Sequence, residues 1–371
     1  MSKFMKDKIN ICFIIIVLLL SILPILLMME LIKGTLVQFL AKCICYAIVA
    51  IGLDLIWGYT GILSLGHGLY FCLGAYGMGM YLKLQATGGK ITDFMHVGGL
   101  TELPAIWKPF LTFPGTVLMI LVVPGLLAGI LGYFIFKNRV KGVYFSIISQ
   151  ALTWAGYSLF IALSPYTNGN VGITDITSLF GSIRGDKNQG NLFAVFFLAL
   201  SVLIIVYVIS WHLVNSKFGR ILIAIRDGEN RTYFSGYQVS KYKNFVYILS
   251  AVFAAIAGAL FVNFNGSISP SQMTISYSIT MVIWVAIGGR GTLIGAIIGA
   301  FLINYCEYNL SSGGLVEIWQ YIIGAIFVVT ILFFKNGIVG IVKSCFGTVS
   351  QKRMDKKQVN VTCQKGVENL E

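Results

Sequence analysis

The chain has 371 residues, of which 57% are hydrophobic and 11% carry a charged side chain. Soluble domains carry about 25% charged residues, so this composition excludes an ordinary soluble globular protein. The formal net charge is +13, but the basic residues lie between apolar blocks and do not form a nucleic-acid-binding patch. Because the apolar blocks have the length that crosses a bilayer, we predict an all-α fold, a polytopic bundle of transmembrane helices.

The predicted spans follow one another along most of the chain. A membrane helix needs about 20 mainly apolar residues, and about ten blocks approach this length. They are residues 10–29, 36–57, 63–84, 114–136, 142–163, 192–214, 244–264, 276–289, 291–308 and 316–334. The first block has no clear small-residue cleavage site after it, so we interpret it as an uncleaved span.

The distribution of basic residues predicts the orientation. Most of the 27 Lys and Arg residues fall in segments that share one side of the membrane if the N-terminus is cytoplasmic. The positive-inside rule then places both termini in the cytoplasm. We expect one membrane domain over residues 1–345, with a basic cytoplasmic loop at about 215–243. Residues 346–371 are polar and poor in aromatics, which predicts a disordered tail.

Motifs for catalysis and cofactor binding are missing from the sequence. A P-loop needs Gly-x-x-x-x-Gly-Lys-Ser/Thr, and the sole Gly-Lys pair, Gly89-Lys90, is followed by isoleucine. The zinc-protease pattern His-Glu-x-x-His and the nucleophile motif Gly-x-Ser-x-Gly do not occur. The sequence contains no Cys-x-x-Cys pair, so this signal of a metal site is also missing. We therefore expect no enzyme activity, no bound metal and no cofactor in this chain.

Glycine is concentrated in two apolar regions. Gly66 and Gly68 flank His67 in the first, and Gly291, Gly295 and Gly299 recur at every fourth position in the second. Small residues let membrane helices approach closely, and a broken helix is tolerated where it is buried in protein or lines a water-filled cavity. The first region therefore predicts either close packing or an interruption beside a pathway. The second predicts a helix face that packs against a neighbour.

The longest predicted cytoplasmic loop contains SKFGRILIAIRDGENRTYFSG, residues 216–236. Helical spacing gathers its charged residues on neighbouring faces, and a glycine follows where the helix could end in a left-handed cap. The residues concerned are Arg220, Arg226, Asp227, Glu229 and Gly236. The loop is either an amphipathic helix on the membrane surface or a docking helix for a cytoplasmic partner.

Four motifs resemble a known family. They are LDLIWGYTGILSLGHG (53–68), GVYFSIISQA (142–151), FGRILIAIRDGE (218–229) and GGRGTLIGAIIGAF (288–301). Together they resemble a permease subunit of the branched-chain amino acid class of ABC importers, over most of the chain.

The match is closest to the urea-type subunit of that family. AYGMGMYL (75–82), the glutamine of FSIISQA and NGNVGITDI (168–176) carry this finer resemblance. IRDGENR (225–231) departs from the usual pattern, because Asn230 and Arg231 stand where small residues are usual.

The resemblance implies several partners. They are a second homologous permease subunit, two cytoplasmic ATPase subunits and an extracytoplasmic substrate-binding protein. ATP would be used by the partner subunits, in agreement with the missing P-loop, and the loop at 215–243 would couple their movement to the spans. A different cargo, such as a branched-chain amino acid or a short amide, stays open. So does a self-standing channel or secondary carrier.

Urea is small and neutral, so its path needs hydroxyls, amides and carbonyls in place of a charged clamp. Gln150 ranks first because an amide both donates and accepts hydrogen bonds, although a mid-span glutamine can also bond another helix. The other candidates are Asp54, Ser64, His67, Thr153 and Asn304. For His67 the favoured alternative is a structural role with its hydrogen bonds satisfied. Asp54 is the sole acidic residue well inside an apolar run, which argues against a proton-driven carrier.

Overall fold

The computed structural model describes residues 8–28, 34–140, 142–177, 179 and 189–312, together with residues 321, 322, 324, 325, 328 and 337. Most of the predicted span 316–334 falls outside the described residues, and the predicted tail 346–371 lies wholly outside them. Within the described part of the chain the fold is all-helical. An isolated antiparallel bridge between Ile173 and Ile268 is the sole β contact there.

The helices follow in chain order, and two 3₁₀ turns, Ala105–Leu111 and Pro270–Met273, lie between them. They are α1 (Lys8–Met28), α2 (Gly34–Thr60), α3 (His67–Ala86), α4 (Asp93–Val97), α5 (Phe113–Lys137), α6 (Val143–Ala162), α7 (Ser164–Thr167), α8 (Gln189–Asn215), α9 (Lys217–Phe234), α10 (Val239–Asn265), α11 (Ile275–Gly288) and α12 (Leu293–Ser312).

Among the described residues, six helices have the length and hydropathy of membrane spans, namely α2, α5, α6, α8, α10 and α12. The predicted spans at 10–29 and 276–289 coincide with helices that are shorter in apolar length, Asn10–Ile22 within α1 and the 14-residue α11. The predicted span at 63–84 corresponds to α3, whose glycines lower its hydropathy. The chain is therefore a multi-pass helical bundle.

Helices α2, α3 and α10 form the centre of the bundle, and their side chains are buried on nearly every face. In the most apolar stretch of α2, 78% of the residues are buried, whereas the value for α6 is 22%. A helix that is apolar on an exposed face in a membrane protein contacts lipid or another subunit. Helices α5 and α6 therefore form one outer side of the described bundle.

The two ends of the bundle collect different segments. Lys83 at the end of α3 donates a hydrogen bond to Thr174 O (3.1 Å), and Trp107 donates one to Tyr166 O (3.1 Å). These loops lie at the end that the charge distribution predicts to be extracytoplasmic. At the opposite end, Arg226 of α9 contacts the end of α2. We call this second end, which carries Arg226, Lys243 and Arg290, the basic end.

Close packing of α3 on α10 explains the glycines inside α3. A Cβ on Gly74 would collide with the backbone carbonyl of Ala255, and a Cβ on Gly258 would collide with Phe71 O. The two helices therefore meet backbone to backbone. This close contact is possible because glycine has no Cβ. At the start of α3, a Cβ on Gly68 would lie 2.7 Å from Ser278 Oγ.

The second glycine region divides between a turn and a helix. A Cβ on Gly299 would collide with Trp284 O, and Gly295 lies against Gly288 O, so α12 packs closely on α11. The prediction that Gly291 shares this helical face is wrong. Helix α12 begins at Leu293, and Gly291 lies in the preceding turn at φ +76°, a left-handed conformation that glycine adopts without strain.

Two predicted boundaries are also wrong. The span predicted at 63–84 begins four residues too early, because residues 61–66 are not helical and α3 starts at His67. Gly61 adopts φ +78° and ends α2, which turns the chain out of the helix. The span predicted at 244–264 begins five residues too late, because α10 starts at Val239, inside the segment predicted as the cytoplasmic loop. The helix expected within residues 216–236 is α9.

Candidate functional site

The interruption between α2 and α3 is the centre of the candidate site. Residues 61–66 lie between two buried helices. Gly61 N and Ile62 N bond to α2 and Gly66 O bonds to α3, but the backbone groups of residues 63–65 have no helical partners in the described part of the chain. Hydroxyls on α6 supply partners in their place. Ser146 Oγ donates a hydrogen bond to Leu63 O (2.7 Å), and Leu65 N donates one to Ser149 Oγ (3.0 Å). This arrangement is the one by which membrane proteins satisfy freed backbone groups.

Thr153 completes this hydroxyl stripe on α6. Its Oγ1 donates to Ser149 O (2.9 Å) and lies 3.4 Å from Leu65 O. The spacing of Ser146, Ser149 and Thr153 puts the three hydroxyls on one helix face, toward the break. We define this stripe and residues 61–66 together as the broken segment site. The packing of Gly66 is equally close, because a Cβ there would lie 3.2 Å from Ser149 O.

His67 stands at the first position of α3 and is bonded to α10. Its Nε2 lies 2.6 Å from Ser250 Oγ, and the side chain is 1% exposed. One turn on, the hydroxyls of Tyr70 and Tyr247 are 2.7 Å apart and buried. These two pairs tie the start of α3 to one face of α10. This hydrogen bond fits a structural role for His67. The ring is not fully hydrogen-bonded, because Nδ1 is buried without a protein partner in the described part of the chain.

Asp54 joins α2 to the turn before α12. Its Oδ1 accepts a hydrogen bond from Gly291 N (2.7 Å), and the residue is fully buried. A Cβ on Gly58 would collide both with Asp54 Oδ1 and with the backbone of Gly291. The end of α2 therefore fits tightly against the glycine-rich turn. Arg290 in that turn lies over the ring of Trp57, 5.2 Å from its centroid.

The charged residues of α9 divide into two sets. Arg226 Nη1 donates to Gly58 O (2.9 Å), and Glu229 forms an ion pair with Lys243 of α10 (2.7 Å). Arg226 and Glu229 thus point toward the membrane helices. Arg220 is exposed, and the Asp227 side chain is 61% exposed while it pairs with its neighbour Arg226. Arg220 and Asp227 therefore lie on the solvent-exposed side of α9.

The end of α9 has the geometry that its sequence suggests. The helix ends at Phe234, and Gly236 adopts φ +89° with its N–H bonded to Tyr233 O (3.0 Å). The helix begins with a cap, because Ser216 Oγ accepts hydrogen bonds from Phe218 N and Gly219 N. Both ends of α9 are therefore specified locally, so the helix does not depend on a partner to form.

Two predicted path residues do not reach the broken segment site through a hydrogen bond. Gln150 is half-buried on α6, and its amide has no hydrogen-bond partner among the described residues. Asn304 is buried, but its Nδ2 donates to Ala300 O in its own helix (2.7 Å). Ser64 lies within the break and accepts a long contact from Gly66 N (3.4 Å).

Sequence reasoning missed Ser149, Ser250, Lys243 and Tyr247 as members of the site. Ser149 has the same helical spacing as Ser146 and Thr153, so the stripe was visible in the sequence. Lys243 was counted with a soluble loop because the start of α10 was placed at residue 244. Ser250 and Tyr247 carry no local signal, since their partners are far away in the chain.

We expect Ser149→Ala to loosen the broken segment. The change removes the acceptor of Leu65 N and leaves this backbone donor unpaired in an apolar setting. Hydrogen bonds inside membrane proteins contribute about 0.6 kcal/mol on average and up to about 1.7. Unfolding by SDS in mixed micelles should show that the free energy of unfolding falls by an amount near the upper value. Ser158→Ala on the exposed face of α6 is the control and should match wild type. Equal stability of the two variants would contradict the role of Ser149 as this acceptor.

A family model covers most of these elements. The family described as "Branched-chain amino acid transport system / permease component" matches residues 35–331, from α2 to beyond α12. The chain belongs to this family. It is a permease subunit of the ABC importer class and a multi-pass membrane protein. The glycine-rich turns, the broken segment and α9 all lie within the matched range.

Known relatives of the permease transport different solutes. Ribose import permease protein RbsC of Haemophilus influenzae is 24% identical over 298 residues, which are 78% of this chain and 81% of that protein. The high-affinity branched-chain amino acid permease LivM of Escherichia coli is 25% identical, over 78% of this chain and 69% of its own. A probable LivM of Methanocaldococcus jannaschii is 26% identical, over 78% and 88%. No solved structure matches the chain.

Proposed function

We propose that the permease forms half of the membrane path of a urea importer. A second, similar permease would supply the other half, and two cytoplasmic ATPases would bind at the basic end. A substrate-binding protein would deliver urea at the opposite end. The chain itself would bind no cofactor, because ATP would be bound and hydrolysed by the partner subunits.

The broken segment site carries this proposal. It offers hydroxyl and carbonyl groups beside residues 61–66, where α2 and α3 are interrupted. Urea has four N–H donors and one strong acceptor, so these groups match it without a charged partner. The charged groups near the site bond within the protein. Asp54 and Arg226 bond to backbone groups at the basic end, and Lys243 pairs with Glu229. The motifs at 75–82 and 168–176 support the same cargo.

Gln150 extends this path toward the exposed side of α6. Its amide is half-buried, and about one helical turn beyond it stands Trp154, which is 54% exposed. In the assembled transporter, a second permease would pack on this side, and the amide would face the interface between the two subunits. Gln150 would then contact urea between the two subunits, together with Ser64 and Thr153. This placement rests on α6 being at the interface of the two permeases.

A second cargo follows from the relatives. The printed names of LivM proteins specify branched-chain amino acids, and a zwitterionic amino acid requires groups that match both of its charges. Such a pair would favour an amino acid. The hydroxyl and carbonyl groups of the broken segment site favour urea, because the charged side chains beside Gly61 already pair with one another. The two cargoes predict opposite outcomes in one uptake assay.

Deletion of the gene should abolish high-affinity urea uptake. Cells that depend on this system would take up labelled urea at micromolar concentration before deletion and lose that uptake after it. Leucine uptake, measured in the same cells, is the matched control and should not change. Loss of leucine uptake with normal urea uptake would reject urea and establish the amino acid cargo.

A further inference from the structure

Helix α9 is divided at Gly228 into two halves. Gly228 has φ −170° and ψ 78°, which is not helical, although helical residues precede and follow it. An interruption of this kind lets the two halves change their relative angle. Each half is joined to a different membrane helix, so α9 bridges two elements.

The first half is joined to α2. Arg226 Nη1 donates to Gly58 O at 2.9 Å, near the residue where α2 ends. A Cβ on Gly61 would lie 3.1 Å from Arg226 Cγ, so the arginine stem crosses the turn that opens the broken segment. Movement of this half would therefore act on the end of α2.

The second half is joined to α10. Glu229 Oε1 lies 2.7 Å from Lys243 Nζ, and Lys243 is 5% exposed, which is rare for lysine. The ammonium group also lies 6.0 Å from the ring centroid of Phe136 in α5. The Lys243 side chain is buried, and the Glu229 side chain is 25% exposed. Separating them would take a carboxylate away from a buried ammonium group, which costs free energy, so the pair favours one arrangement of α9 on α10.

Lys243 lies on the face of α10 that reaches the broken segment. Tyr247 and Ser250 follow it at spacings of four and three residues, which one helical face accommodates. These two residues bond Tyr70 and His67 at the start of α3. Contacts therefore continue from Glu229 through α10 to the first turn of α3.

A polar cleft of about 280 Å³ lies between these two contacts, Arg226 with Gly58 and Glu229 with Lys243. Its lining includes Thr60 and Gly61 from the end of α2, Arg226 and Glu229 from α9, and Lys243 from α10. The cleft adjoins the start of residues 61–66. A change in the angle between the halves of α9 would alter the width of the cleft, because residues from both contacts line it.

We propose that the Lys243–Glu229 ion pair transmits movement of α9 to α10 and so opens or closes this cleft. The pair acts as a positioning pair, and neither residue contacts the cargo. The proposal rests on the function proposed above, in which ATPases move α9. It differs from simple docking, because the decisive contact lies within this chain and faces away from the partner.

The test uses the full complex of both permeases, the ATPases and the binding protein in proteoliposomes. Import is measured with labelled urea or labelled leucine, whichever the wild-type complex imports, and ATP hydrolysis is measured in the same vesicles. The variants are Lys243→Gln, Glu229→Gln and the double exchange Lys243→Glu with Glu229→Lys. Lys243→Arg keeps the charge, and Lys241→Gln, an exposed lysine on the same helix, is the matched control.

Each glutamine variant should keep its ATPases and hydrolyse ATP while importing about tenfold less solute per ATP, a typical coupling effect. The double exchange and Lys243→Arg should recover most of the import. Should the glutamine variants fail to assemble, recovery of assembly by the exchange would equally support pairing. Wild-type import per ATP in both glutamine variants, or an exchange no better than they are, would overturn the proposal. A wild-type complex without ATP-driven import contradicts the proposed function instead.

Discussion

Replacement of Gly258 by valine is expected to prevent stable assembly of the membrane core. A Cβ at this position would collide with Phe71 O and would lie 3.1 Å from Ala75 N, and both atoms belong to the backbone of α3. A backbone cannot move aside as a flexible side chain does, so the helices must separate. Overpacking in a rigid core costs about 1–3 kcal/mol, and valine should reach or exceed that range.

The measurement is SDS unfolding in mixed micelles, together with the amount of permease in the membrane fraction. Gly125→Ala in α5 is the control, because its Cβ would lie 3.4 Å from Val252 Cγ2, an ordinary contact. Gly74→Val should resemble Gly258→Val, since Gly74 meets the backbone of Ala255 across the same interface. Wild-type unfolding of Gly258→Val would show that α3 and α10 do not pack backbone to backbone.

Asp54→Leu is the second change from which we expect a large effect. The leucine removes the acceptor of Gly291 N and leaves that donor buried between α2 and the turn before α12. An unsatisfied buried donor costs about 1–3 kcal/mol. Arg226 of α9 donates to Gly58 O beside the same turn, so the substitution should also disturb the contact between α9 and α2. We therefore expect ATP-driven import to fall below detection.

Asp54→Asn separates the hydrogen bond from the charge. Asparagine keeps an oxygen where Oδ1 accepts from Gly291 N, so its unfolding should match that of wild type. Asn304→Leu is a second control, because it removes a hydrogen bond that stays within α12. Full import by Asp54→Leu, or equal instability of the leucine and asparagine variants, would show that Asp54 does not hold the turn before α12 through this hydrogen bond.

The arrangement of helices could be predicted from the sequence in most places. Apolar length and hydropathy located α2, α5, α6, α8, α10 and α12, because a membrane helix must be long and apolar. The glycine spacing in α3 predicted close packing, and Gly74 shows that packing against Ala255. These features depend on local properties of the chain, so a single sequence reveals them.

The contacts that build the candidate site could not be predicted in the same way. Arg226 and Glu229 have the spacing of charges that face a partner. In the structure, Arg226 donates to Gly58 O and Glu229 pairs with Lys243. The partners lie on other helices, and no local pattern records which side of α9 faces the bundle. The break at residues 61–66 was foreseen as one of two outcomes for a glycine-rich segment. Its position depends on hydroxyls of α6 that lie far along the chain, such as that of Ser149.

ATP-driven import by the reconstituted complex tests the central claim most directly. Proteoliposomes would contain the permease, a second permease and the ATPases, with the binding protein and labelled urea at the face opposite the ATPases. The account predicts that urea accumulates when ATP is supplied on the ATPase side and that the permease alone accumulates none. Accumulation by the permease alone, or by the complex without ATP, would contradict the account and identify a self-standing channel or carrier.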